Sequence, residues 1–389
     1  MTGVRRVLWL CSFVLVSAVS ALTMNGPVVV VGLNPALQRT ITLAGLKVGG
    51  VNRAASVEVG IGGKGQNVIV ASRHMQLQKP SQLLQFLGTG GEGDLLSNLL
   101  LERNVDPQHS VRVSASTRTC TTLVDQTSGL ATEIVEPSGK VDEQEIQALL
   151  RAAAAFKGQG ASLAVMGSMP PGCTPALYAQ ILRAAADSSS KVLLDCTVGV
   201  PEALQACKGT DGDSDGGGNL GCPTMLKTNV EELLQLCGLP PIDCPSPMDL
   251  LSAARTLTQG IARGGLFLAV TDGPRPAFFV STQTEEVFKL TLPPLGFQIV
   301  NPIGAGDAVA SGTIHNWANA LAEDPTAVAV EGVRAEGEDG GEGGEGARAL
   351  RAFAWGIACG TASCATNSNS VFDAAVAHSV FRSLQIAKV

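Results

Sequence analysis

The sequence predicts an α/β fold built on a mainly parallel sheet, with a small second sheet beside it. Two observations carry this. From about residue 27 onward, short β-rich runs alternate with longer helical patterns, as expected of strands joined by crossover helices. Between Thr40 and Val59, and again between Val111 and Val135, helical patterning is absent and short β runs alternate with turns. Such stretches suit a separate small sheet, or lid. The 389 residues are 45% hydrophobic, enough to bury a substantial core. A net charge of −7 with no basic block argues against a nucleic-acid partner. One Tyr and three Trp leave little for stacking on bases.

The first residues read as an address. Arg5-Arg6 precede the apolar run Val7 to Val19, and Val19-Ser20-Ala21 fits a cleavage site. The run is too short to span a bilayer comfortably, so no membrane contact is expected of the mature form. Residues 1–23 are therefore read as a signal-like segment admitting secretory entry, with Met24 as the alternative start. The apolar strand Val28–Val31 follows too closely for a transit peptide to intervene.

Residues 24–389 read as one domain. Lid strands are expected within about 38–60 and 111–136. Helical patterns cover Asn67–Gln78, Gly93–Arg103, Glu143–Phe156, Pro175–Ala186, Val230–Cys237, Asp249–Arg263 and Ala347–Thr366. Strand-like runs cover Leu163–Met166, Lys191–Asp195, Leu266–Thr271 and Ala277–Ser281. Residues 208–221 and 331–346 are Gly-rich, acidic and nearly free of apolar side chains, so both read as inserted surface loops without a catalytic part. The ten Cys show no CxxC and no metal spacing. Cys207/Cys222 and Cys237/Cys244 bracket loops and could pair in a secreted protein, but free thiols are the preferred reading.

Two motifs carry chemistry. The β-prone run Phe297–Asn301 leads into Pro302-Ile303-Gly304-Ala305-Gly306-Asp307, and helix formers follow. Gly304 and Gly306 can turn bare N–H groups toward an anion at a helix N-terminus. Asp307 is placed to take a proton from a hydroxyl attacking phosphorus. Taken alone, the motif also fits a plain turn with Asp as helix cap. The second motif, Gly60-Ile61-Gly62-Gly63-Lys64-Gly65-Gln66-Asn67, combines flexible glycines, a point charge for phosphate and an amide for a hydroxyl. It formally matches GxGxxG, as does Gly88–Gly93. Neither has an acid at Rossmann spacing, and Gly65 after Lys64 excludes a Walker A motif.

In order along the chain, these motifs resemble the PfkB, or ribokinase-like, carbohydrate kinases. The phosphosugar branch of 1-phosphofructokinases and tagatose-6-phosphate kinases is the most similar. Leu33-Asn34-Pro35-Ala36 with Val51-Asn52-Arg53, Gly62–Asn67, Thr117-Arg118, Thr132–Glu136, Gly167–Gly172, Lys227–Glu232 and Asn301–Asp307 carry the resemblance. It implies a three-layer sandwich with a β-sheet lid, and phosphorylation of a sugar-phosphate hydroxyl with ATP and Mg²⁺. It implies Asp307 as catalytic base, with Gly304, Ala305 and Gly306 as the anion hole. Gln38, Gly63, Lys64, Asn67 and Arg118 would contact the sugar phosphate. Asn229, Thr271 and Gly273 would contact the nucleotide, and Glu232 the metal. It also points to a homodimer formed through the lid, and to chemistry suited to cytoplasm or plastid.

The departures are specific. The branch usually carries Asp at the position of Gln38, which is neutral and can both donate and accept. Cys120 stands where some relatives have Asn. Pro276 replaces a glycine near the nucleotide and removes a donor. Two rival readings follow. One is a kinase of an unphosphorylated sugar or nucleoside, which Arg118 opposes. The other is a non-catalytic binding or scaffold protein, which the intact GAGD and GGKG motifs oppose.

Overall fold

The computed structural model describes residues 26–75, 77, 79–207, 220–242, 245–258, 266–319 and 343–389. Within them the chain forms a three-layer α/β sandwich with a ten-stranded central sheet and a four-stranded accessory sheet. The chain opens with β1 (Val28–Val31), the accessory strands β2 (Ala36–Leu43) and β3 (Ala54–Gly62), α1 (Lys64–Ser72), β4 (Gln82–Gly88), α2 (Gly91–Glu102) and β5 (Ser110–Val113). The accessory strands β6 (Arg118–Asp125) and β7 (Ala131–Val135) follow. Next come α3 (Glu143–Ala154), β8 (Ser162–Met166), α4 (Ala176–Ala185), β9 (Val192–Asp195), α5 (Val200–Cys207) and β10 (Thr224–Asn229). The last part comprises α6 (Val230–Leu236), α7 (Pro247–Thr258), β11 (Leu266–Thr271), β12 (Ala277–Ser281), β13 (Glu286–Thr291), α8 (Ala305–Asn319), α9 (Gly343–Ser363), α10 (Ala374–Ser383) and β14 (Gln385–Lys388).

The central sheet runs β14-β13-β12-β11-β10-β9-β8-β1-β4-β5. From β11 to β5 neighbouring strands are parallel, and β12 to β14 add an antiparallel edge. Parallel strands covered on both faces read as continuous apolar runs. The four valines of β1 are accordingly all buried. Their alternation divides the core in two. Val28 and Val30 face a cluster built with α1, α8, α9 and α10, and Val29 and Val31 face one built with α3, α4 and α5. The accessory sheet runs in the order β3-β2-β6-β7. Among the described residues, no helix is long and apolar enough to cross a membrane.

Several boundaries differ from the sequence reading. The run 297–301 forms no strand. Its backbone instead donates from Val300 and Asn301 to the Cys364 carbonyl, at 2.7 and 3.1 Å, which ties it to the end of α9. Residues 110–113 join the central sheet as β5, not the lid. Helices α5 and α10 and strands β4, β10, β13 and β14 have no counterpart among the elements expected from the sequence pattern. Helix α1 starts earlier than expected, at Lys64, because Gly63 turns the chain at φ 100°. The described cysteines carry free thiols, while Cys11 and Cys244 lie outside the described residues, as does the signal-like segment.

Of the two segments read as insertions, only the ends are described. Residues 220–221 are joined to α5 by Leu220 N–H donating to the Ala206 carbonyl, 3.0 Å. Residues 343–346 are not loop but the first turn of α9. The acid within them packs. Trp317 Nε1 donates to Glu345 Oε1 at 2.6 Å, and Lys191 Nζ reaches the same oxygen at 2.9 Å. The same ammonium sits 5.9 Å over the Trp317 ring.

Glu345 should therefore matter to stability although it lies in a segment whose composition suggests a loop. Glu345→Ala removes a charge-assisted acceptor from a buried indole N–H and is expected to cost about 1.5–3 kcal/mol. Denaturant unfolding of the variant against wild type measures this. A loss of under about 0.5 kcal/mol would mean the contact does not anchor α9.

Candidate active site

In open parallel sheets, ligand crevices form beyond the carboxyl ends of the strands. Here that edge is the polar one. Strand β9 is apolar until Asp195, and β10 carries Lys227 before ending at Asn229. Asp195 is 1% exposed. Its Oδ1 accepts from Lys64 Nζ at 2.9 Å and its Oδ2 from Lys227 Nζ at 2.6 Å. Lys64 Nζ also reaches Glu232 Oε1 at 3.2 Å. Burial alone would push the Asp195 carboxyl up, but the two ammonium groups outweigh it and hold it below its ordinary value. Burial likewise opposes the charge on Lys64, and Asp195 and Glu232 more than reverse that.

Asp307 lies in the first turn of α8, 8% exposed. Its Oδ2 accepts from Asn67 Nδ2 at 2.8 Å, joining α8 to α1. Burial, and then the negative charge of Asp195, raise its pKa to about 7, against the Asn67 hydrogen bond and the charges of Lys227 and Lys64. The turn before it needs glycine. Gly304 has φ 79°, and a Cβ there would stand 2.6 Å from Ser370 Oγ, which donates to the Gly304 carbonyl. Ala305 N–H is donated to the Pro302 carbonyl at 3.2 Å. The N–H groups of Gly304 and Gly306 have no backbone partner among the described residues. The turn thus uses the Ala305 donor within the backbone and leaves those of Gly304 and Gly306 unpaired there.

Two cavities open here. One, of about 260 Å³, is lined by Asn34, Lys64, Arg118, Ser168, Thr197 and Glu232. Arg118 donates from Nη2 to the Asn34 carbonyl at 3.3 Å, while its buried Nε has no partner. Asn34 is itself held by Ser168 Oγ, 3.0 Å, and Ser138 Oγ, 2.8 Å. The second cavity, of about 290 Å³, is lined by Gln38, Thr40, Glu58, Asn67, Arg103 and Asn369 among others. Asn67 thus stands between this cavity and Asp307.

The motif residues converge to different degrees. Lys64, Asn67, Asp307 and Glu232 meet around Asp195, with Arg118 across the first cavity and Gln38 in the second. Gly63 is the turn that starts α1. Asn229 and Glu232 form a reciprocal capping box on α6, so their first task is structural, although Glu232 Oε1 still faces Lys64. Thr271 pairs with Asn229 across β10 and β11, and Gly273 turns at φ 56° just beyond. Neither lines the two cavities. The segment Thr132–Val135 is exposed along β7. The paired Asp195 and Lys227 carry no role in the sequence reading. The available signal was a carboxylate ending an otherwise apolar strand.

A family model described as pfkB family carbohydrate kinase matches residues 28–335. Among solved structures, phosphofructokinase-2 from Escherichia coli, in complex with potassium, is similar at TM-score 0.70 and 20% identity. The match covers 92% of this chain and 98% of that one. A possible 1-phosphofructokinase from Thermotoga maritima gives 0.66 and 18%, covering 93% and 99%. Ribokinase from Giardia lamblia gives 0.67 and 14%, covering 90% and 98%. At such identities the likeness is one of fold.

The Asp195 geometry generates a stability prediction. Asp195→Ala leaves the largely buried Lys227 ammonium without its carboxylate, and such removals cost about 3–5 kcal/mol. Chemical denaturation should show that loss. A variant as stable as wild type would mean that Asp195 is not needed to hold Lys227 in the sheet.

Proposed function

The chain belongs to the pfkB family of carbohydrate kinases, and on that premise we propose that it phosphorylates a hydroxyl of a sugar phosphate at the expense of ATP. The acceptor is a ketose phosphate of the tagatose 6-phosphate or fructose 1-phosphate type, and Asp307 is the general base. One observation carries the reading. A buried carboxylate with a pKa near 7 sits at a helix N-terminus, next to cavities that carry a lysine and an arginine with an unpaired buried N–H.

Each group has a task that suits its surroundings. A base poised near neutral pH is effective at taking the acceptor's hydroxyl proton. Asn67 orients that carboxylate through the 2.8 Å hydrogen bond. The N–H groups of Gly304 and Gly306, with the α8 dipole, stabilise charge on the transferred group. Arg118 offers the fork geometry that binds a phosphate already on the sugar, and Lys64 supplies a second positive charge. Magnesium needs few protein ligands, one or two carboxylates with water and phosphate oxygens. Glu232, its side chain 24% exposed beside Lys64, fits that requirement. The ion would neutralise charge on the ATP phosphates. Asn229, Thr271 and Gly273, at adjoining strand ends, are proposed for the nucleotide. One face of the lid exposes Val57, Val59 and Ile134, which supports pairing with a second copy of this chain. Phosphofructokinase-2 of E. coli has a tetrameric inhibited form.

Asp307→Asn is expected to lower phosphoryl transfer about 10²–10⁴-fold while ATP binding persists. In the wild type, Asp307 must be ionised to act, so kcat/KM for the acceptor should fall about tenfold per pH unit below about 7 and level off above it. Coupled ADP-release assays across pH test both. Wild-type turnover in the variant would remove Asp307 from this role.

Arg118→Ala is expected to raise KM for the phosphorylated acceptor about tenfold or more, since hydrogen bonds to charged groups contribute about 1.5–3 kcal/mol. KM for ATP should change little, because the lost contact belongs to the acceptor. Lys64→Ala should also weaken acceptor more than ATP. Equal losses for both substrates would contradict the assignment.

A further inference from the structure

Strands β2 and β6 run parallel in the lid, with Gln38 opposite Cys120 and Thr40 opposite Thr122. That register sets Gln38 and Thr122 on one face of the accessory sheet. Gln38 is 9% exposed and Thr122 3%. Gln38 Nε2 donates to Thr122 Oγ1 at 2.8 Å and makes a longer contact with the Arg39 carbonyl oxygen at 3.5 Å. A carbonyl can only accept, so the NH₂ end belongs on that side. The flipped amide would set Oε1 against the Arg39 oxygen. Oε1 accepts no hydrogen bond from any described residue. Gln38 lines the 290 Å³ cavity, and so does Asn67, whose own Nδ2 is committed to Asp307.

We propose that Thr122 is a positioning residue that locks the Gln38 amide with its oxygen toward the cavity, so that this chain reads its acceptor through hydroxyl donors. The inference rests on the proposed function, in that the cavity is taken to hold the acceptor. Gln38 has its NH₂ group turned to two protein acceptors and Asn67 has one N–H committed to Asp307, and each keeps an oxygen free. The matching ligand is a polyol presenting O–H groups to both. A carbonyl, carboxylate or phosphate oxygen at the Gln38 position would meet only another acceptor. Gln38 then does the work of a carboxylate acceptor without a net charge in the cavity, and its orientation depends on a neighbouring strand. Thr122 contacts no substrate. Its loss frees the amide to rotate and to offer either end.

The test uses the full-length protein and its isosteric variant. ADP release is measured with fructose 1-phosphate, fructose 6-phosphate and tagatose 6-phosphate for wild type, Thr122→Val and Thr122→Ser. Thr122→Val should raise the acceptor KM about three- to tenfold, as for one lost neutral hydrogen bond. The kcat and the KM for ATP should stay within about twofold, and Thr122→Ser should restore the acceptor KM. In parallel, the Gln38 side-chain amide proton resonances, identified by their loss in Gln38→Met, should shift in Thr122→Val and hold in Thr122→Ser. A serine variant that behaves like valine would make the role structural and overturn the proposal. So would unchanged amide resonances in Thr122→Val. If no ketose phosphate supports turnover by wild type, the functional reading fails, and the amide resonances alone then decide whether the lock exists.

Discussion

A single carboxylate held between two ammonium groups organises the working edge of this protein. Asp195 is buried from bulk solvent, so its charge depends on the paired Lys64 and Lys227 ammonium groups. Those partners come from different parts of the fold: Lys227 from the neighbouring strand and Lys64 from the first turn of a helix that follows the lid. The constraint therefore ties the lid's exit to the centre of the sheet. It also fixes the electrostatics of Asp307, whose carboxyl stays partly protonated near neutrality because burial and Asp195 outweigh the two lysines. Glu232 extends the chain of charges toward the open cavity.

The legible parts of the fold were those with one dominant period. Strands β1, β8, β9, β11 and β12 are short, continuous apolar runs, and such runs are what burial on both faces of a sheet demands. Strand β10 escaped because Lys227 interrupts its apolar run for the sake of Asp195. Strand β4 escaped for a related reason: Gln85 is fully buried within it and accepts from Gln66 at 2.7 Å. The opposite error arose at residues 297–301. Their β propensity is genuine, but their backbone donors go to the end of α9 rather than to a strand. Composition misled at residues 343–346, where Gly-rich sequence begins a helix because Glu345 has Trp317 and Lys191 to meet.

The site divides similarly. Asp307, Asn67, Lys64 and Arg118 could be named because each sits in a local motif whose glycines or neighbours betray it. Asp195 and Thr122 have no such motif. Lys64 and Asp195 are 131 residues apart, and Gln38 and Thr122 are 84 apart. Only the strand order brings them together. Asn229 and Glu232 show a further limit, since one short motif serves both as a helix cap and as part of a charged site.

The position of β1 has a consequence for how the chain is made. Among the described residues the earliest strand, β1, lies between β4 and β8, in the interior of the sheet. Its second neighbour is not synthesised until residue 166, and the edge strand β14 is made only at Gln385–Lys388. An N-terminal portion therefore cannot close a finished sheet by itself, and the four valines of β1 wait with one edge unpaired. Long-range pairing of this kind is slow and exposes sticky edges while it proceeds. Production of this protein should depend on chaperone supply and growth temperature more than its folded stability would suggest.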